Sequence, residues 1–284
     1  MREVTGRAEL RVRFRRLHEE GCFVIPNPWD AGTAVALARL GFPALATTSA
    51  GFAFSRGLPD SLTALSAEMT LGHVAAIVDA VDVPVNADFQ AGYAADLERL
   101  AHKVGRCVAT GVSGLSIEDG TGLAGTPLFS LPAAVERIRA ARSAIDESGA
   151  DVLLTGRAEC FLYGHPDPLN EAIARLQGYA EAGADVLFAP GLRRREDIAT
   201  LVNALRPYPV NVLVSTGIGP TVTDLAELGV RRISVGSALS RVAWGAFLRA
   251  ARLLAGEGSF QGLADAAGFD ELNGLFTPPP QHTD

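Results

Sequence analysis

Pro84-Val85-Asn86-Ala87-Asp88-Phe89-Gln90-Ala91-Gly92-Tyr93 begins as an apolar strand, turns acidic at its end and breaks into a glycine loop. Nothing local favours a carboxylate at the C-terminal end of a strand. In a parallel sheet or barrel, that end is where ligands bind. Two further stretches finish in the same way. Leu115-Ser116-Ile117-Glu118-Asp119 ends in paired acids, and Leu153-Leu154-Thr155-Gly156-Arg157-Ala158-Glu159 ends in a cation and an acid. Acids brought from separate strands to one rim are the donor set of a divalent cation bound through oxygen. Arg157 is placed to hold a substrate carboxylate by a two-pronged contact.

Outward from this stretch one unit repeats. Upstream, 22–25 reads as a short strand stopped by Pro26-Asn27-Pro28, and Asp30 stands at the N-cap of a helix over 31–40. A second strand covers 44–48 and is followed by Ser49-Ala50-Gly51; a helix over 66–80 then leads into strand 83–87. Downstream, helices are expected over 94–110, 132–147, 170–182, 194–205 and 222–228. They alternate with strands over 114–117, 151–155, 185–188, 210–214 and 232–235, and a long helix over 237–255 closes the series. Residues 8–20, with Leu10, Val12, Phe14 and Leu17 among arginines, read as an amphipathic helix capping one end. Eight strands, each followed by a helix, predict a (β/α)8 TIM-type barrel, with a doubly wound open sheet as the alternative. No linker interrupts the run, so residues 1–284 form one domain with a loose tail over about 277–284.

The chain has 284 residues, and its 48% hydrophobic content can supply a full core. A formal net charge of −7 argues against nucleic acid or an anionic membrane as a partner, while a small anionic substrate stays compatible. Cys22, Cys107 and Cys160 are scattered and odd in number, which predicts reduced thiols and a cytoplasmic location. The first residues lack the apolar core of a signal peptide, and no stretch has the length of a membrane span.

Each candidate residue has a plainer reading. Asp88 and Glu118 could cap the following helices or pair with a nearby arginine instead of holding a metal. Asp60, in Gly57-Leu58-Pro59-Asp60, taken alone reads as a turn or N-cap aspartate. Glu159 is a general base or a partner for Arg157. Asn211, in Pro209-Val210-Asn211-Val212-Leu213, either faces the barrel mouth or is a buried structural amide. Cys160 is better explained as a small core residue.

Taken in order, these motifs resemble the isocitrate lyase / phosphoenolpyruvate mutase superfamily over nearly the whole chain. Thr48-Ser49-Ala50-Gly51 followed by Asp60 is similar to its substrate-binding serine loop and acidic position. Asn86-Ala87-Asp88 with Gly92-Tyr93 resembles its Asp-x-Asp metal motif and glycine loop, Ile117-Glu118-Asp119 its Ile-Glu-Asp, and Arg157-Ala158-Glu159 its Arg-x-acid strand end. The resemblance implies a barrel with Mg2+, or Mn2+ in its place, at Asp60, Asn86, Asp88 and Glu118. It implies a substrate held by Ser49, Ala50, Gly51 and Arg157, and chemistry through an enolate of a small 2-oxo or 2-hydroxy acid; Asn211 joins the substrate contacts on the reading in which it faces the barrel mouth. It also implies a homodimer or homotetramer in which the helix after the eighth strand is exchanged between subunits.

Two departures qualify the transfer. Asn86 replaces the family's first aspartate, so one negative charge is lost. The Lys-Lys-Cys-Gly-His loop of the isocitrate and methylisocitrate lyases is here Gly120-Thr121-Gly122-Leu123-Ala124-Gly125-Thr126-Pro127, without acid, base or thiol, and the phosphonate branch's Lys and Asn are missing too. The expected activity is a lyase cleaving a C–C bond in a small 2-oxo or 2-hydroxy dicarboxylic acid, with Arg157 and Glu159 in catalytic roles. The alternatives are a hydrolase or decarboxylase of oxaloacetate- or phosphonopyruvate-like substrates, and a barrel that binds 2-oxo acids without catalysis.

Overall fold

Eight short apolar runs, each set between a helix and a glycine or proline turn, become eight parallel strands in the computed structural model, which describes residues 4–277. In chain order the elements are α1 (Val4–Leu17), β1 (Phe23–Ile25), α2 (Ala31–Arg39), β2 (Leu45–Ala46), α3 (Ser49–Ser55), α4 (Ala67–Ala80), β3 (Val85–Asp88) and α5 (Leu97–Ala109). There follow β4 (Gly114–Glu118), α6 (Leu131–Glu147), β5 (Leu153–Arg157), α7 (Pro168–Glu181), β6 (Val186–Phe188), α8 (Arg195–Ala204), β7 (Val210–Leu213), α9 (Val222–Glu227) and β8 (Arg232–Ser234). Helix α10 (Ala238–Glu257), a 3-10 turn (Gln261–Leu263) and α11 (Phe269–Phe276) complete the chain. The sheet order β1-β8-β7-β6-β5-β4-β3-β2 is that of a (β/α)8 barrel.

The barrel closes at a seam between β1 and β2 without a strand ladder. Pro26 ends β1, and its carbonyl accepts the Ala46 N–H at 3.0 Å. Above it the buried Asn27 completes the ring: its Nδ2 donates to Thr47 O at 3.0 Å, and its Oδ1 accepts the N–H groups of Val235 and Gly236 at 3.0 and 2.8 Å. One carboxamide thus ties the ends of β1, β2 and β8, so Pro26-Asn27-Pro28 does more than stop a strand.

Two apolar layers hold the barrel. The outer one lies between strands and helices and includes Leu45, Val85, Leu115 and Leu154. The inner one fills the N-terminal end of the lumen with Phe14, Phe23, Ile25, Ala44, Ala46, Leu153 and Val186. Phe14 comes from α1, so this helix caps the barrel with a plug of side chains. Asp30 caps α2 through a 2.7 Å bond from Thr33 N, as its position predicts. No helix among the described residues is long and apolar enough to cross a membrane.

The structure departs from the sequence reading in four places. Ser49-Ala50-Gly51 is not loop but the first turn of α3, capped by the Thr48 side chain. Helix α5 begins at Leu97 rather than 94, because Asp96 caps it and Arg137 bonds the carbonyls of Ala91, Ala94 and Ala95 outside it. Strands β3, β4 and β5 run on to Asp88, Glu118 and Arg157, which places all three charged groups inside the ladder. Beyond α10, the chain forms a 3-10 turn and then α11, which lies against α2 with Arg39 Nη1 donating to Gly274 O at 3.1 Å. Of the expected loose tail, only Thr277 is described, bonding back to Asn273 O at 2.8 Å; residues 278–284 lie outside the described residues.

Candidate active site

The C-terminal strand ends open into a cavity of about 410 Å3. Its lining includes Ser49, Ala50, Asp60, Asn86, Asp88, Glu118, Arg157, Glu159 and Asn211, so nine of the ten residues singled out from sequence meet there. Gly51 does not line it. That residue lies on the buried side of the first turn of α3, where a Cβ would lie 2.6 Å from the Thr48 methyl and 3.1 Å from Trp29 Cβ, and its N–H goes to Thr48 Oγ1. Its role is close packing, and substrate contact falls to its neighbours.

Arg157 is the centre of the site. Its Nη1 meets Asp88 Oδ1 at 2.8 Å, its Nη2 meets Glu118 Oε2 and Glu159 Oε1, each at 3.0 Å, and its Nε meets Glu159 Oε1 at 3.1 Å. The face of Phe188 lies 5.2 Å from the guanidinium carbon. Burial works against the arginine's charge, but Glu118, Glu159 and Asp88 outweigh it and hold the group protonated. Both glutamates are pushed up from the usual carboxylate range, first by burial, with Arg157 opposing that shift. Asp60, at the exposed lip, is pushed up by loss of water and then by Asp88.

The supporting contacts orient these groups. The second oxygen of Asp88 accepts the Ser49 N–H at 2.9 Å, and its own N–H donates to Thr47 Oγ1 at 2.9 Å. Asp119 turns away from the cavity. It accepts the Glu159 N–H at 2.9 Å, Arg175 Nη1 at 2.9 Å and the Tyr179 hydroxyl at 2.6 Å, and so fixes the backbone that carries Glu159. Residues 119–129 form a closed hairpin rather than an open loop: Gly120 bridges Leu128, and Thr121 N donates to Pro127 O at 2.9 Å. Gly120 abuts Leu62 and the Tyr163 hydroxyl, both at the cavity wall.

Gln90, Tyr163 and Arg232 are among the lining residues that escaped the sequence reading. Gln90 adopts φ 45°, a backbone region rarely occupied by residues other than glycine, and its side-chain oxygen is buried without a hydrogen-bond partner. Tyr163 follows from no local pattern. Arg232 had a signal: with a period of two, the strand that holds Arg232, Ile233 and Ser234 sends its arginine and serine to one face. Asn211 lines the cavity, yet both ends of its amide are engaged, Oδ1 by Arg232 Nε at 2.8 Å and Nδ2 by Ser234 Oγ at 3.0 Å. The buried structural amide is the reading its contacts favour.

The donor set suits a hard cation held largely through water. Three carboxylates surround one guanidinium, a cluster with two formal negative charges in excess, and Asp60 adds a further carboxyl at the lip. Asn86 Oδ1, buried two residues below Asp88 and against Gly114, has no hydrogen-bond partner, and neither does Gln90 Oε1. Among the described residues no three Asp, Glu, His or Cys side chains gather as a ready cage. Mg2+ needs none, because it keeps several waters and uses one or two carboxylates together with the substrate.

Comparison with known proteins agrees with this geometry. The family model for phosphoenolpyruvate phosphomutase matches residues 14–255. An uncharacterized protein of Mycobacterium tuberculosis is 32% identical over 228 residues, covering 80% of this chain and 82% of its own. Oxaloacetate decarboxylase of Paraburkholderia xenovorans is 30% identical, covering 84% of this chain and 78% of its own. A crystal structure of a Burkholderia cenocepacia J2315 protein, proposed to be a lyase or mutase, superposes with a TM-score of 0.92 at 44% identity, over 96% of this chain and 98% of that one.

Proposed function

This chain belongs to the phosphoenolpyruvate phosphomutase family, and from that premise we propose that it is a Mg2+-dependent lyase that cleaves a C–C bond in a small 2-oxo or 2-hydroxy dicarboxylic acid through an enolate. Members of the family are enzymes, lyases and mutases among them, that act on small carboxylic acids. The observation that carries the reading is Arg157, a buried two-pronged cation ringed by Asp88, Glu118 and Glu159 at the barrel mouth.

In this reading Asp88 and Glu118 hold the metal, with Asp60 at the lip and the Asn86 carboxamide oxygen beside it. When bound, Mg2+ supplies Lewis acidity to the negative charge that develops on the enolate oxygen. Arg157 exchanges part of its carboxylate shell for the substrate carboxylate next to the reacting carbon, keeping a bidentate contact. The Ala50 N–H at the start of α3 is offered to the same group, while the neighbouring Ser49 N–H is held by Asp88. Glu159 accepts the hydroxyl proton as the C–C bond breaks. The bonding electrons leave on the fragment that becomes the enolate, and the proton returns to its carbon. Leu62, Tyr163 and the hairpin exclude water above.

A second reading is a decarboxylase of oxaloacetate-like acids. It is favoured by the hairpin, which carries no acid, base or thiol between residues 120 and 127. Loss of CO2 forms the same kind of enolate without removal of a hydroxyl proton. Purified protein assayed on isocitrate, methylisocitrate, oxaloacetate and phosphonopyruvate, with Mg2+ and with a chelator, separates the readings. Cleavage of a hydroxy acid that stops on chelation supports the lyase, and turnover of oxaloacetate alone supports the decarboxylase. Binding of these acids without turnover leaves a non-catalytic barrel, and no binding at all overturns the site.

A further inference from the structure

Arg232 is a second buried cation in the lumen, and its surroundings differ from those of Arg157. It is only 3% exposed, yet among the described residues no carboxylate lies within ion-pair distance of it. Its partners are all neutral. Nε donates to Asn211 Oδ1 at 2.8 Å, Nη2 donates to Thr155 Oγ1 at 3.1 Å, and Nη1 lies 3.4 Å from His18 Nε2. His18 Nδ1 bonds Phe14 O at 2.8 Å, and burial beside Arg232 keeps the ring uncharged, so Nε2 is left as the acceptor. A guanidinium has five donors, so these three contacts leave others free.

A buried charge without a counter-charge is costly, and proteins rarely keep one without a use for it. Burial, and then repulsion from Arg157, draw Arg232 down to about 9. The side chain lines the same cavity as Arg157. Both cations are referenced to β5: Arg157 belongs to it, and Arg232 bonds Thr155, two residues deeper. Two residues of strand span roughly 7 Å, so Arg232 is anchored deeper in the lumen than Arg157. All the cavity's ion-paired carboxylates cluster on the upper one.

We propose that Arg232 is a second anion subsite, which receives the distal carboxylate of a short dicarboxylic 2-oxo or 2-hydroxy acid while Arg157 receives the carboxylate beside the reacting carbon. The proposal rests on the functional reading above and adds its specificity: Asn211, Thr155 and His18 hold the guanidinium without neutralising it, so its charge is satisfied by the substrate. A monocarboxylic acid would leave the lower cation unmatched.

Calorimetry with malate and 2-hydroxybutyrate, in Mg2+ at constant ionic strength, tests this, because the two differ only in a distal carboxylate replaced by a methyl. The wild-type protein should bind malate at least tenfold more tightly. Arg232→Gln should bind both acids alike, with its affinity for 2-hydroxybutyrate near that of the wild type. Arg232→Lys should keep part of the preference, and Arg157→Lys should weaken both acids. A variant that merely loosened the barrel would lose both ligands together. No preference in the wild type, or full preference in folded Arg232→Gln, overturns the subsite and leaves the lyase reading intact. If the Gln variant does not fold, the Lys variant and the wild-type comparison still decide. A wild type that binds neither acid overturns the functional reading itself.

Discussion

At the scale of single residues, the site is a contest for one guanidinium. Asp88, Glu118 and Glu159 each meet Arg157 within 3.1 Å, and Asp88 also anchors the first turn of α3 through Ser49. The plainer reading of Asp88 and Glu118, pairing with a nearby arginine, therefore describes the contacts these groups make. It is compatible with the metal reading because binding would share the same oxygens. Asn86 is the residue where a charge is missing from the family pattern, and its oxygen is left without a partner. Asn86→Asp should tighten Mg2+ binding several-fold by restoring that charge, and Asp88→Ala should weaken it at least tenfold. Titration calorimetry with Mg2+ alone reads both. Weaker binding in the Asn86→Asp variant would mean that Asn86 does not face the ion.

At the scale of elements, α1 does more than cover an end. It inserts Phe14 into the lumen, and the turn that follows it adds His18, which packs edge-on against Phe14 and Phe23. Burial first, and then Arg232, lower the His18 ring from its ordinary 6.5 to about 3. His73, stacked on Phe52, is lowered to about 4, chiefly by burial. Both are held neutral in the folded protein, whereas the unfolded chain takes up protons near 6.5. The unfolded state therefore binds more protons below that pH, and stability present above it is lost as the pH falls. Each ring contributes a slope of up to about 1.4 kcal/mol per pH unit in that window. Urea unfolding at pH 7, 6 and 5 should show the fall, and His18→Gln should reduce its slope. An unchanged slope would show that His18 does not titrate on unfolding.

At the scale of the whole molecule, α10 is the element left over. Of its 20 residues only Ser240 is buried, although the helix carries Val242, Trp244, Phe247 and Leu248. The 3-10 turn folds back only on the far end, with Gly262 against Ala250 and Leu253; Phe247 stays 59% exposed, and Phe260 and Phe269 stay 73% and 88% exposed. Trp244 and Phe247 meet edge-to-face at 5.6 Å on the open side. An apolar face of this extent marks an interface, and we propose a homodimer or homotetramer built on it. Light scattering at micromolar concentration should give a multiple of the 29.7 kDa chain. Phe247→Asp should dissociate or unfold the assembly, because the new charge would be buried without a partner. A monomeric wild type, or an intact oligomer carrying the substitution, would place the contact elsewhere.

The order of the eight strands and of the helices between them, the barrel they build and the acids at its rim were legible in the chain, because strand period, helix caps and strand endings are local properties; α3 and α11 were not. Asp88, Glu118 and Arg157 stand out by themselves as charges that end apolar runs. What the tertiary structure decided is pairing between residues far apart in sequence. Asn27 closes the seam where prolines forbid a ladder, Gly51 lets the first turn of α3 pack against Trp29, and Asn211 supports Arg232 rather than the mouth. Arg232 itself could be placed on an inward face by its strand's period, but only the folded barrel surrounds it with neutral groups. Its electrostatic state depends on Thr155, 77 residues away, and His18, 214 residues away. No local pattern encodes such distances, because they arise only when eight strands and a helical plug share one lumen.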